Sequence, residues 1–171
     1  RSDGRAVACG NTMNGRCSLP PLDAGVKYVQ VCAGCNHTVL IRSDGRAVAC
    51  GSNQHGKCNF PEPDAGVEYV QVSAGESHTV LLRSDGRAVA CGNNCDGRFN
   101  FPALDASVKY VQVSAGYSHT VLLRSDGRAV ACGNTMNGRC SLPPLDAGVK
   151  YVQVCAGCNH TVLIRSDGRA V

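Results

Sequence analysis

The stretch R-S-D-G-R-A-V-A-C-G, residues Arg1 to Gly10, decides how the rest of the 171-residue chain is read. It returns unchanged at Arg42 to Gly51, Arg83 to Gly92 and Arg124 to Gly133, and its first seven letters recur at Arg165 to Val171. A constant spacing of 41 residues marks a repeat architecture, in which each unit buries its apolar face on its neighbour. The repeats are residues 1–41, 42–82, 83–123 and 124–164, and residues 165–171 open a further one. Residues 1–48 and 124–171 are identical, so a longer period of three repeats, 123 residues, lies over the first. Neither end carries the more polar repeat that caps many arrays, and the chain reads as a window from a longer periodic polymer.

Asp-Gly in this stretch sits between an apolar run, His78 to Leu82 in the second repeat, and a small-residue run, Ala88 to Cys91. That arrangement signals a hairpin, because Gly accepts the positive φ of a tight turn. The two runs are therefore predicted to be antiparallel neighbours, covered on both faces. About 16 residues rich in turn formers follow, with a Pro in each repeat (Pro20, Pro61, Pro102, Pro143) that argues against a helix. Val26 to Val31, V-K-Y-V-Q-V, is β-branched and aromatic and reads as the best strand. It ends at Ala33-Gly34, and a short turn returns the chain to the next apolar run. Three strands per 41 residues predict an all-β chain of antiparallel meanders, and radially repeated meanders make a β-propeller.

The string V-S-A-G-x-x-H-T-V-L-L-R-S-D-G-R-A-V-A-C-G-x-N-x-x-G resembles the repeat of the regulator of chromosome condensation, a propeller family that is typically seven-bladed. The short repeat is also similar to the compact blades of the bacterial β-lactamase-inhibitor propeller of that superfamily. This chain departs from the pattern at Cys9, Cys50, Cys91 and Cys132, where the family often has Trp. Four repeats are too few for a seven-bladed ring and a three-repeat period does not divide seven, so an open, superhelical array of blades stands beside the closed ring. The resemblance implies a protein-binding module; exchange-factor activity or chromatin binding belongs to some members, but no residues here are recognised as carrying either.

Formal net charge is +4, yet residues 1–123 carry 11 basic and 10 acidic side chains. A polyanion-binding surface is not indicated. Repeat two alone is acidic, with Asp44, Glu62, Asp64, Glu68 and Glu76 against Arg42, Arg46 and Lys57. No P-loop, dinucleotide fingerprint or basic stripe with interleaved aromatics is present, so neither nucleotide nor nucleic acid is expected as a partner. The arginines of the repeated stretch, Arg1 and Arg5 with their copies, read as exposed turn residues. No run approaches a membrane span.

Twelve cysteines and no tryptophan favour an oxidising, extracellular setting over the cytoplasm. His37, His78, His119 and His160 share one position, and with no carboxylate or Ser at a fixed distance they read as structural imidazoles, so no enzyme is indicated. C-x-x-C-x-H occurs at Cys32, Cys35 and His37 and again at Cys155, Cys158 and His160, a weak zinc candidate short of four ligands. No cofactor follows from it. The repeat-specific cysteines Cys17, Cys32, Cys35, Cys58, Cys95, Cys140, Cys155 and Cys158 read better as disulfide staples of unassigned connectivity, and the strand cysteines as small apolar fillers. Asn36 and Asn159 sit in N-glycosylation sequons.

Together these features predict a non-enzymatic structural protein that self-associates into a filament or scaffold by repeat-to-repeat contacts. The alternative is a protein–protein interaction module, a closed propeller presenting its loops.

Overall fold

The structure, a computed structural model, describes residues 3–171; Arg1 and Ser2, at the start of the first repeated stretch, lie outside the described residues. It is all-β, with eleven strands in four antiparallel sheets among the described residues. The first sheet holds β1 (Tyr28–Ala33), β2 (His37–Arg42) and β3 (Ala47–Gly51). The second and third repeat it as β4 (Tyr69–Ala74), β5 (His78–Arg83) and β6 (Ala88–Gly92), then β7 (Tyr110–Ala115), β8 (His119–Arg124) and β9 (Ala129–Gly133). β10 (Tyr151–Ala156) and β11 (Thr161–Arg165) make the fourth, with a single further bridge from Ile164 to Ala170.

The repeated stretch is the turn between the second and third strand of one sheet, so each blade straddles two sequence repeats. Gly45 closes that turn at φ 76°, its amide donating to the Arg42 carbonyl, while Asp44 Oδ1 accepts the Arg46 amide. Asp44 itself keeps a negative φ, so the loop is one residue longer than a two-residue hairpin turn. Arg42 clamps it, pairing with Asp44 at 2.7 Å and with Asp23 of the preceding loop at 2.6 Å. The turn-rich segments hold single 3₁₀ turns at Met13–Gly15, Gln54–Gly56 and Met136–Gly138 and no α-helix. No helix among the described residues is long and apolar enough to cross a membrane.

Strands β1, β4, β7 and β10 lie innermost. Each bulges at one residue, between Tyr28 and Gln30 in β1, and the extra valines Val70, Val111 and Val152 face a shared channel, while Val29 is exposed. The core lies between sheets. Val39 and Ile41 of β2 pack on Tyr69, Val72 and Ala74 of β4 and on Leu81 of β5, and the same layer recurs at the next two junctions. Ala47 and Ala49 of β3 border the first layer, where small side chains let the sheets come together. Both faces of the central strand are covered: Val39, Leu40 and Ile41 are at most 1% exposed. Each such side chain contributes about 1.5–3 kcal/mol. The four sheets form an open arc in which the outward face of blade four keeps Val162 and Ile164 exposed.

Candidate functional site

The arc is held by polar ties as well as apolar layers. Gln30 Oε1 accepts the Val72 amide of the next blade, and Gln71 and Gln112 do the same for Val113 and Val154 at 2.9 Å. Two residues on, Ser73 Oγ accepts the Ala115 amide and Ser114 Oγ the Ala156 amide, both at 2.9 Å. Cys32 stands in the serine position and its sulfur receives the Ala74 amide at 3.2 Å. Amides that an inner edge strand would leave bare are thereby satisfied.

The shared histidines form a second tie. Thr79 donates its hydroxyl to the Lys57 carbonyl at 2.8 Å and so accepts from His37 Nε2 at 2.8 Å. His78 meets Thr120, and His119 meets Thr161, in the same way at 3.0 Å. The imidazoles are neutral tautomers with Nε2 protonated and a buried, unpartnered Nδ1. Burial first, and then the cations Lys57, Arg98 and Arg139 close to the three rings, push His37 down to about 4, His78 to about 3 and His119 to about 4. Those cations are themselves buried: Lys57 Nζ donates to the Glu76 carbonyl at 3.2 Å, and Arg139 Nη1 to Ser118 Oγ at 2.7 Å. With no carboxylate partner, the histidines are blade-to-blade ties.

These ties anchor one face of the arc. The 3₁₀ loops and the Ala-Gly turns lie side by side on it, joined by Arg16 Nη1 to the Cys35 carbonyl at 3.1 Å and by Lys57 to Glu76. The four Ala-Gly turns border the channel mouth. Cys35 N–H donates to the Gly75 carbonyl at 3.4 Å, and Tyr117 N–H to that of Gly157 at 3.3 Å. Together they line a cavity of about 310 Å³ whose variable residues are Cys35, Glu76, Tyr117 and Cys158. Met13 and Met136 at the loop crests are 63% and 65% exposed, and Tyr117 is 46% exposed. Pro-containing loops and the Asp-Gly turns make the opposite face.

The structure separates the residues of the zinc candidate. Cys32 ties to the next blade, Cys35 lies at the channel mouth and His37 is buried against Thr79, while Cys155, Cys158 and His160 are exposed. Among the described residues no group of three or more His, Cys, Asp or Glu is disposed to hold a metal ion. All twelve cysteines are free thiols. Cys17 Sγ contacts the Asn11 carbonyl at 3.5 Å, and Cys58 and Cys140 take the equivalent contacts in their loops. Cys95 is exposed on its loop. The strand cysteines Cys50, Cys91 and Cys132 donate to the carbonyls of Arg16, Lys57 and Arg98, and burial pushes Cys91 and Cys132 up to about 12. Asn36 is half-buried and its carbonyl accepts the Ser52 amide at 2.8 Å; Asn159 is exposed.

The glutamine ties and the buried cations were missed in the sequence. Their signal is present: Gln30, Gln71, Gln112 and Gln153 recur inside the best strand, and a basic residue follows every Gly-x-Asn-x-x-Gly (Arg16, Lys57, Arg98, Arg139) or its equivalent.

The regulator of chromosome condensation (RCC1) repeat matches residues 28–57, 69–98 and 110–139, each a blade's strands and the following loop. No curated protein matches the chain by sequence. Among solved structures, Prp20p of Saccharomyces cerevisiae is similar at TM-score 0.73 and 21% identity, over 88% of this chain and 46% of that one. Human WBSCR16 is similar at 0.75 and 20%, over 88% and 48%, and yeast RCC1 (Prp20) bound to Kap60 at 0.72 and 21%, over 88% and 44%. The chain thus spans less than half the length of these three structures, and at such identity they establish the fold: propeller-type blades. With the repeat matching more than half of its residues, the chain belongs to the regulator of chromosome condensation (RCC1) repeat family.

Proposed function

We propose that the chain is a protein-interaction module that binds its partner on the face carrying the Ala-Gly turns and the 3₁₀ loops. The observation that carries this reading is the division of labour within each repeat. Residues that tie blades together are the same or chemically alike in every repeat, whereas those at the loop crests and the channel mouth differ: Met13, Gln54 and Cys95 at one set of positions, and Cys35, Glu76 and Tyr117 at another. Exposed Met and Tyr supply adaptable apolar contact without needing a deep pocket. The solved structures named above support the reading, since yeast RCC1 (Prp20) is bound to Kap60 and Prp20p is described with its binding to Gsp1p and histones. Binding of this kind requires no catalytic group.

The test is affinity capture with the immobilised chain, compared with a variant carrying Met13→Glu, Tyr117→Ala and Met136→Glu, and with an opposite-face control carrying Arg46→Glu, Arg87→Glu and Arg128→Glu. A protein retained by wild type and control but lost by the first variant supports the reading. Retention by the first variant, or loss only from the control, overturns the choice of face.

A second reading, an extended array built by repeat-to-repeat contacts, rests on one observation. The outward face of blade four has the sequence of the face of blade one that is buried against blade two. A further blade of this pattern fits it, whether supplied by the same chain or by another. Electron microscopy of the purified chain distinguishes filaments from discrete particles.

A further inference from the structure

We propose that Cys35 and Cys158 form a redox-responsive dithiol across the channel mouth, closing to a disulfide that joins blade one to blade four. The two residues are 123 positions apart in sequence, yet both line the same 310 Å³ cavity and both are solvent-exposed. A cavity of that size holds on the order of ten waters. The turns that carry them are the two ends of a row of backbone contacts in which each Ala-Gly turn meets the next. Gly34 approaches the Gly75 carbonyl, Gly75 that of Gly116, and Gly116 that of Gly157, each so closely that an added Cβ would lie at 2.6, 2.5 and 2.5 Å. The geometry therefore fixes the outer two turns relative to each other through the two between them.

Electrostatics agree with this placement. Burial, then the Glu76 carboxylate and the Cys158 thiol, hold the Cys35 thiol above its ordinary range, while Lys57 and Arg16 oppose the shift. The buried and strand cysteines contrast with the pair, and the remaining exposed thiols, Cys9, Cys95 and Cys155, do not line this cavity. Cys50, Cys91 and Cys132 are half-buried with their thiols committed to backbone carbonyls, and Cys32 receives an amide.

The oxidant is a small disulfide such as oxidised glutathione. One thiolate attacks it, forming a mixed disulfide and releasing one glutathione thiolate. The second protein thiolate then attacks the mixed disulfide at the protein sulfur, forming the Cys35–Cys158 bond and releasing the second glutathione. The two protein thiol protons end on the two glutathiones, so one small disulfide is reduced to two thiols as one protein disulfide forms. Thiolate is the attacking species, so the rate rises with pH from neutral into the alkaline range.

The inference stands independently of any protein partner. Its test uses the full chain carrying Cys32→Ser and Cys155→Ser, the residue that repeats two and three hold there, so that no linkage within one C-x-x-C can form. After treatment with oxidised glutathione, the expected product runs as a monomer without reductant. Tryptic digestion then yields residues 28–42 joined to 151–165, lighter by two hydrogens than the two free peptides. Adding Cys35→Ser abolishes that product. Stable glutathione adducts on Cys35 and Cys158 without the linked peptide, linkage only between two chains, or no linkage at all would each overturn the proposal.

Discussion

Gly75 has no room for a side chain. A Cβ there would stand 2.5 Å from the Gly116 carbonyl oxygen and 2.6 Å from the His78 ring, which its hydrogen bond to Thr120 holds in place. Gly75→Ala must therefore spread two blades or displace the imidazole, at a cost on the order of 1–3 kcal/mol, read as a lower urea midpoint. An unchanged midpoint would mean that the turns are not packed as described. The histidine beside it sets an acid limit. His78 titrates at about 3 when folded against an ordinary 6.5, so the folded state refuses a proton that the unfolded chain accepts. Its contribution to stability is complete above pH 6.5 and falls as the pH drops from there toward the folded value, by about 1.4 kcal/mol per pH unit within that window. His37 and His119 act in the same direction. Urea midpoints measured between pH 7 and pH 5 should fall for the wild type and fall less steeply for His78→Gln. Parallel slopes would contradict a buried neutral imidazole.

At the scale of the strand, the ladder between blades is made of side chains. Gln71→Met keeps the length of the side chain but leaves the Val113 amide of the next inner strand without its acceptor. The expected cost is about 1 kcal/mol, together with faster hydrogen exchange at Val113 and little change at Leu122 in the strand behind it. Equal exchange at both amides before and after substitution would remove the glutamine from the interface. This ladder also marks where sequence reading stopped. The three strands and the hairpin were legible because Asp-Gly, β-branched runs and small-residue runs are local signals. The side-chain ties link residues 42 positions apart, and a polar residue in a strand does not reveal which neighbour it serves. The same limit explains the C-x-x-C motif. Spacing suggested shared ligation, but the strand end points Cys32 at the next blade while the turn carries Cys35 to the channel mouth. Similarly, nothing local to the basic residue after each loop signals burial, whereas Lys57, Arg98 and Arg139 are buried beside the histidines.

For the whole molecule, the identity of residues 1–48 with 124–171 places the same amino acids in two environments. Val39 and Ile41 are 0% and 1% exposed between blades one and two, while their copies Val162 and Ile164 are 40% and 37% exposed on the outward face of blade four. The inner strand shows the reverse: Val31 is 58% exposed and its copy Val154 only 2%. For Val31 and Val154 the sequence and the strand pairing are matched, so the difference is that of having a neighbouring blade; β11 additionally lacks the full third strand that β3 gives β2. In a repeat array, where stability is a sum of unit terms and nearest-neighbour interfaces, the interface carries most of the worth of these side chains. Ile41→Ala should therefore cost about 2–5 kcal/mol, and Ile164→Ala well below that, since a half-open site leaves no sealed cavity. Val154→Ala should likewise cost more than Val31→Ala. Urea unfolding of the four variants decides the matter. Equal losses at both members of each pair would show that the blades are stabilised internally and that the layers between them contribute little. Unequal losses in the stated order would locate the cohesion of the chain at its blade-to-blade junctions.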